Sequence, residues 1–415
     1  MKRLFALLLA LCLLLPVCSL AEEDDLIIEE IIEEVDLDAE EDPDAVPEEG
    51  FEEGIEEQVS GGYELTDEDL AELEALAGTL GAAVAEEPVD TASLELNPNL
   101  PDSVINILLL GLDSRNPDLT EDKATVKRAD VQMILSFNPA DQENPIKLSS
   151  ILRDTLVEVP TANGVTKKKV TDSYTSYTPE GAFYDNPMRS VRTINHNFEL
   201  NVQYYVAINF YGVASIVDAM GGIDLELTKG EAWNINQYLK KNERAILRTY
   251  DTKEKHDARE PLKVADGVQH LDGLQALMYA RLRKSFSSKY NMGGDWERTA
   301  RTRNLLDTLL KKVLDKDSGI SILDLFTEAL SYVSSNMNIE TMFNMVRQVL
   351  SSGLISRVKE ADSSLISQFR IPMDKTWSYA TVNDTSVIFM NKNNFQKNRE
   401  ALHEFIYGSY IPAAQ

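Results

Sequence analysis

The chain has 415 residues, of which 26% are charged, and a formal net charge of −29 at neutral pH. About 30 of its acids lie between Glu22 and Glu95, no Lys or Arg lies between Leu4 and Leu100, and acids and bases nearly balance from Pro101 onward. A near-neutral domain behind an acidic segment argues against general nucleic-acid binding. With cysteine confined to Cys12 and Cys18, disulfides, thiolate metal sites and cysteine nucleophiles are excluded beyond that point.

Taken in order, Met1-Lys2-Arg3, the apolar run from Leu4 to Val17 and Ser19-Leu20-Ala21 form a secretory pattern with a cut after Ala21. The run is shorter than the roughly 20 residues of a spanning helix, so a signal peptide over 1–21 is expected, with an N-terminal anchor as the alternative. Residues 22–100 are rich in Asp and Glu and poor in aromatics, which predicts a disordered acidic tether. A globular domain is expected over 101–410, with the motifs discussed below at 105–315 and a C-terminal extension at 316–410.

Residues 105–110 and 131–137 are short apolar runs bounded by Gly, Pro or charge, and IKLSSI follows them, so all three read as buried strands. Residues 202–210 alternate like a strand. Residues 211–220 have helical spacing, ended by Gly221-Gly222, and 223–227 start a new strand. The charged stretch 233–257 reads as a surface excursion, and 271–277 as a short helix running into Tyr279–Arg283. Asp295 is positioned to cap a long helix in which Arg298, Thr302, Leu305 and Leu309 share one stripe. Residues 320–335 and 339–350 read as helices, 386–390 as a strand and 398–406 as a closing helix.

Several chemistries drop out. The four histidines are dispersed, and no G-x-S-x-G, Walker or G-x-G-x-x-G pattern occurs. What stands at the ends of the apolar runs is arginine and aspartate: Asp113, Arg115, Arg128, Asp130, Arg153 and Asp154, joined later by Arg281, Arg283, Asp295, Arg298 and Arg301. Arginine grips phosphate with two prongs, and magnesium takes carboxylates together with phosphate oxygens. In an α/β sheet, polar groups at strand ends collect where ligands bind. The set suits pyrophosphate chemistry.

The blocks INILLLGLDSR, RAD, SSILRDTLVEVP, VDAMGGIDLEL, LDGLQALMYARLRK and DWERTART, in this order, resemble the LytR-CpsA-Psr family of cell-wall assembly proteins over about residues 105–314. FRIPMDKTWSYA and LHEFIYG resemble the tail often seen in that family. The resemblance implies a three-layer α/β/α fold with a central mixed sheet. It implies an extracytoplasmic phosphotransferase, secreted or anchored at the outer face of the membrane. Such an enzyme moves a glycopolymer from a polyprenyl-pyrophosphate carrier to the C6 hydroxyl of muramic acid in peptidoglycan. By position, Asp113 and Asp130 would hold Mg²⁺ (or Mn²⁺) and orient the attacking hydroxyl. Arg153, Arg281, Arg283 and Arg298 would hold the pyrophosphate. The charge clusters add Arg115, Arg128 and Arg301 to that set, with Asp154 and Asp295 in support. The lipid would enter an apolar tunnel between sheet and helices. Leu152, Val131 and Thr302 stand where the family usually has Pro, Thr and Gln. A pyrophosphatase that hydrolyses the carrier, and a non-catalytic wall-binding protein, are the alternatives to be separated by experiment.

Overall fold

The structure is a computed structural model that describes residues 91–112, 128–141, 143–177, 183–185, 187–241, 253–314, 333–338, 341, 345 and 366–413. The expected signal and most of the expected tether lie outside the described residues, as does nearly all of the helix expected at 339–350. The first strands are β1 (Ile105–Leu112), β2 (Ala129–Phe137), β3 (Ile146–Ile151), β4 (Leu156–Thr161), β5 (Gly164–Lys169), β6 (Thr175–Tyr177) and β7 (Phe183–Asp185). Helix α1 (Pro187–Phe198) leads to β8 (Tyr204–Asn209), α2 (Phe210–Ala219), β9 (Ile223–Leu227), α3 (Lys229–Lys241) and α4 (Lys253–Ala258). Then follow β10 (Gly267–Leu271), α5 (Gly273–Arg281), α6 (Gly294–Leu314) and β11 (Val333–Ser335). The chain closes with β12 (Ser367–Ile371), β13 (Ser378–Val382), β14 (Thr385–Phe389) and α7 (Lys392–Tyr407).

Six strands form one mixed sheet in the order β11-β8-β1-β2-β3-β12. β1 runs antiparallel to β2 and parallel to β8; β3 runs antiparallel to β2 and parallel to β12. The central strands are buried on both faces; β1 is a nearly continuous apolar run, whereas β2 and β3 also bury polar residues such as Gln132, Ser136, Ser149 and Ser150. On one face Leu108, Leu110 and Ile134 pack in a cluster with Val191 and Ile194 of α1 and Leu402 and Ile406 of α7. Ile107, Leu109 and Met133 alternate with them and are buried on the opposite face, where α2, α5 and α6 pack together. Helices therefore cover both faces of the sheet, as the family resemblance implied.

Local chemistry explains the breaks. Gly221 and Gly222, both at positive φ, end α2 in a Schellman arrangement: Gly222 N donates to Val217 O at 2.9 Å and Gly221 N to Asp218 O at 2.9 Å. Asp272 caps α5, accepting from Gln275 N at 2.8 Å, while the Gln275 side chain accepts from Asp272 N at 3.0 Å. Gly273 is required by a close approach, since a Cβ there would collide with the Ala214 carbonyl of α2.

Three sequence expectations are corrected. The folded unit begins by residue 91, not 101: Leu94 is 1% exposed, and Asn97 Nδ2 donates to Glu199 O at 3.0 Å and Ile411 O at 2.9 Å. The C-terminal extension, placed within the domain by the sequence, supplies β12, which completes one edge of the main sheet beside β3. The expected surface excursion opens with α3, which buries Ile235 and Leu239 beneath its charges. Val333–Ser335, expected as helix, pairs instead with β8 as an edge strand.

His403 of α7 is fully buried and hydrogen-bonds through Nε2 to Phe198 O at 2.7 Å. Burial lowers its pKa, an effect only partly offset by that hydrogen bond. A histidine held neutral in the fold contributes stability above its ordinary titration range and loses it as pH falls through about 6.5. The melting temperature should therefore drop between pH 7.5 and 5.5, and His403→Gln should flatten that slope. Parallel melting curves for the two proteins across this range would show that another group dominates.

Candidate phosphate site

Asp130 opens β2 and Arg153 lies just beyond the end of β3, and these two strands are hydrogen-bonded neighbours. Both residues therefore arrive at the same end of the sheet. Leu152 N donates to Ile371 O at 2.9 Å and Thr155 N to Leu152 O at 2.9 Å, closing a tight turn around Arg153 and Asp154. A short 3₁₀ helix, Val170–Ser173, lies over this turn. Its Val170 N donates to Thr155 O at 2.9 Å and its Thr171 N to Arg153 O at 3.2 Å. The Gln132 side chain, inside β2, donates to Val170 O and Ser173 Oγ at 2.8 and 2.9 Å.

At the centre, Arg153 Nη1 donates to Asp130 Oδ2 at 3.0 Å, and Thr171 Oγ1 donates to Asp130 Oδ1 at 2.8 Å. Asp130 is 6% exposed and Arg153 7%. A pair this buried is costly to break, because either partner alone would be a desolvated charge. Signs alternate outward: Asp154 Oδ1 lies 3.9 Å from Arg153 Nε and 2.7 Å from Lys169 Nζ. Arg298, 3% exposed in the second turn of α6, joins Asp130 and Arg153 in lining one narrow cleft. The cleft encloses about 40 Å³ between β2, β3 and α6, with Tyr379 of β13 at its edge. Two buried guanidiniums against two carboxylates, one of which Lys169 also neutralises, give the cleft a positive balance of the kind that suits an anionic oxygen.

The other candidates are distributed differently. Arg128 sits beside the cleft, paired with Asp172 at 3.5 Å. Arg281 and Arg283 do not line the cleft; the Arg281 guanidinium lies 5.7 Å from the Tyr238 ring centroid. Arg301 is corrected to a brace: its Nε donates to Glu231 Oε1 at 2.6 Å, and Nη1 and Nη2 donate to Leu282 O and Met292 O at 2.7 and 2.9 Å. Asp295 falls inside the first turn of α6, which starts at Gly294, rather than before it as a cap. Asp113 and Arg115 lie outside the described residues.

Thr171 and Lys169 are members that the sequence did not single out. A signal was present: Asn163-Gly164 between two strand-forming stretches marks a hairpin, and the hairpin sets Lys169 opposite Leu156, two residues from Asp154. Among the described residues no group of three His, Cys, Asp or Glu is arranged to hold a metal. Magnesium does not need one, since it binds through one or two carboxylates plus substrate phosphates and water. Asp130 is an ionisable carboxylate at the cleft, and a carboxylate with oxygens already oriented by Arg153 and Thr171 is a ligand type that suits Mg²⁺ or Mn²⁺.

Comparison with known proteins bears on the family. Residues 76–404 match the LytR_cpsA_psr family. Among curated relatives, the polyisoprenyl-teichoic acid–peptidoglycan teichoic acid transferase TagU of Bacillus mycoides is 31% identical over 241 residues, 58% of this chain and 63% of that protein. TagV of Bacillus subtilis, of the same description, is 24% identical over 337 residues, 79% of this chain and 72% of that one. The chain thus spans less than two thirds of the TagU relative's length. The crystal structure of protein gbs0355 from Streptococcus agalactiae shares the fold, with a TM-score of 0.51 at 17% identity over 79% of this chain and 96% of that one. With the match running from residue 76 to 404, the protein belongs to the LytR_cpsA_psr family.

Proposed function

We propose that the protein is a glycopolymer–peptidoglycan phosphotransferase. Its donor is a polymer carried on polyprenyl pyrophosphate, its acceptor the muramic acid C6 hydroxyl, and its place the outer face of the membrane or the wall. The observation that carries this is the buried Asp130–Arg153 pair, facing Arg298 across one cleft, in a chain related to proteins named as teichoic acid transferases.

The acceptor oxygen forms a bond to the phosphorus that bears the polymer. The bond from that phosphorus to the bridging oxygen breaks, and polyprenyl phosphate leaves with the electron pair. The hydroxyl proton passes to a carboxylate, for which Asp113 and Asp130 are the proposed acceptors. Such a transfer depends mainly on positioning and electrostatics. Arg153 is held in place by Asp130 and Asp154, and Thr171 orients Asp130 in turn, so the guanidinium needs little reorganisation when charge develops. Arg298 supplies the second positive group from the opposite wall. A divalent ion held by Asp130 and Asp113 would add further neutralisation of the phosphates when bound.

The test is an assay with a short polymer on a polyprenyl-pyrophosphate carrier, with and without peptidoglycan fragments. The expected products are polyprenyl phosphate and a glycan carrying a phosphodiester-linked polymer, formed only with acceptor. Carrier cleavage at the same rate without acceptor would replace this reading with a pyrophosphatase. No turnover, together with no thermal shift from carrier and metal, would leave wall binding.

A further inference from the structure

The β13–β14 hairpin brings to the cleft a surface that the reaction above does not use. Its strands, SYATV and TSVIF, hold no charged residue, although the cleft beside them is built from arginines and aspartates. Tyr379 and Ile388 are cross-strand partners, as are Thr381 and Ser386 two residues further along, so all four share one face. Ile388 is buried and lines the cleft together with Tyr379, whereas Tyr379 is 67% exposed and Thr381 and Ser386 are open to solvent.

The Tyr379 ring is held where it stands. The turn at Asn383 and Asp384 has positive φ at both positions, the geometry of a tight two-residue hairpin. Ile388 N donates to Asp154 O at 2.8 Å, and Thr155 forms a bridge with Ile388. The strand opposite Tyr379 is thereby fastened to the turn that carries Arg153. Trp377, itself partly buried against the core, meets the Tyr379 ring in a T-shaped contact, with centroids 5.1 Å apart and planes at 82°. A braced ring loses little freedom when a ligand arrives, which is what a preorganised contact surface requires.

The chemistry of this face selects a class of ligand. A pyranose ring presents C–H groups with partial positive charge on its faces and hydroxyls around its rim. The first suit the negative face of an aromatic ring, and the second suit Thr and Ser hydroxyls. A charged polymer would find no counter-ion on these two strands. The donor is already gripped through its diphosphate, whereas the acceptor offers the reaction only a hydroxyl and needs a hold of its own. We propose that Tyr379 is a stacking platform for the acceptor sugar, with Thr381 and Ser386 hydrogen-bonding to its rim. This rests on the transferase reading, and it seats the acceptor on the β13–β14 side of the cleft with its hydroxyl directed inward.

The experiment uses the full chain and a soluble glycan oligomer containing muramic acid, as ligand in a calorimetric titration without donor and as acceptor in the transfer assay. Tyr379→Ala should weaken oligomer binding and raise the acceptor KM by about tenfold, leaving the donor KM within about twofold. Tyr379→Trp should restore both values and Tyr379→Leu should not, because only the first has a ring face. The side chain is exposed, so melting temperatures should stay unchanged. Wild-type acceptor affinity in Tyr379→Ala, or full rescue by Leu, would overturn the proposal. A rise in donor KM in place of acceptor KM would overturn it too, and would seat the ring against the donor's own sugar. Loss of affinity that tracks a fall in melting temperature would make Tyr379 a structural residue and equally overturn it. No transfer from any donor, with ring-dependent oligomer binding intact, would overturn the transferase reading and leave the platform standing. Transfer with ring-independent acceptor binding would do the reverse.

Discussion

Arg153→Ala should abolish polymer transfer and destabilise the fold at the same time. The guanidinium is 7% exposed and donates to Asp130 at 3.0 Å, so its removal strands a carboxylate that is 6% exposed. Breaking a buried pair from one side costs about 3–5 kcal/mol, read here as a shift in the denaturation midpoint. Transfer should fall by about 10³-fold or more, because the phosphate loses a positioned positive group. The double variant Asp130→Ala, Arg153→Ala separates the two effects. It removes both charges, so it should recover much of the stability and none of the transfer. Should the double variant regain activity along with stability, Arg153 would be a structural residue and the proposed site would lie elsewhere.

Arg298 offers the complementary case. It lies in the second turn of α6, 3% exposed, on the wall of the cleft opposite the strand ends. Arg298→Met keeps most of the volume and removes the charge, so transfer is measured per folded molecule alongside the denaturation midpoint. The expected result is a folded protein with kcat/KM reduced by about 10²–10³-fold. Arg301→Met, three residues along, should show the opposite balance. It would cut the contacts to Glu231, Leu282 O and Met292 O and so lower stability more than turnover per folded molecule. Retention of transfer within a few-fold by Arg298→Met would remove it from the site. The two variants together test whether burial alone, or burial beside the cleft, marks a functional arginine.

Much of the scaffold was legible from local pattern. The run that became β1 is apolar at nearly every position, and β2 keeps an apolar majority, because helices cover both faces of the sheet. The stop at Gly221-Gly222 was legible because a helix end of this kind turns on a residue at positive φ, which glycine adopts freely, as both glycines do. The stripe Arg298, Thr302, Leu305, Leu309 was right as a face, yet its polar start proved as buried as its apolar end. Local pattern failed where a segment's neighbours are remote in sequence. Ser367–Ile371 is short and became the sheet edge beside β3, while Val333–Ser335 became strand because β8 offered it an open edge.

The amino-acid sequence by itself determined the charge split between residues 22–95 and the rest, the central strands of the sheet and the set of arginines and aspartates from which a site could be drawn. The tertiary structure decided which of them meet. Asp130 and Arg153 pair because β2 and β3 are hydrogen-bonded neighbours, Lys169 reaches Asp154 because a hairpin folds back, and Arg301 turns away because Glu231 lies within reach. Periodicity records which face a residue occupies, whereas the partner it finds there depends on chain segments that only packing brings together.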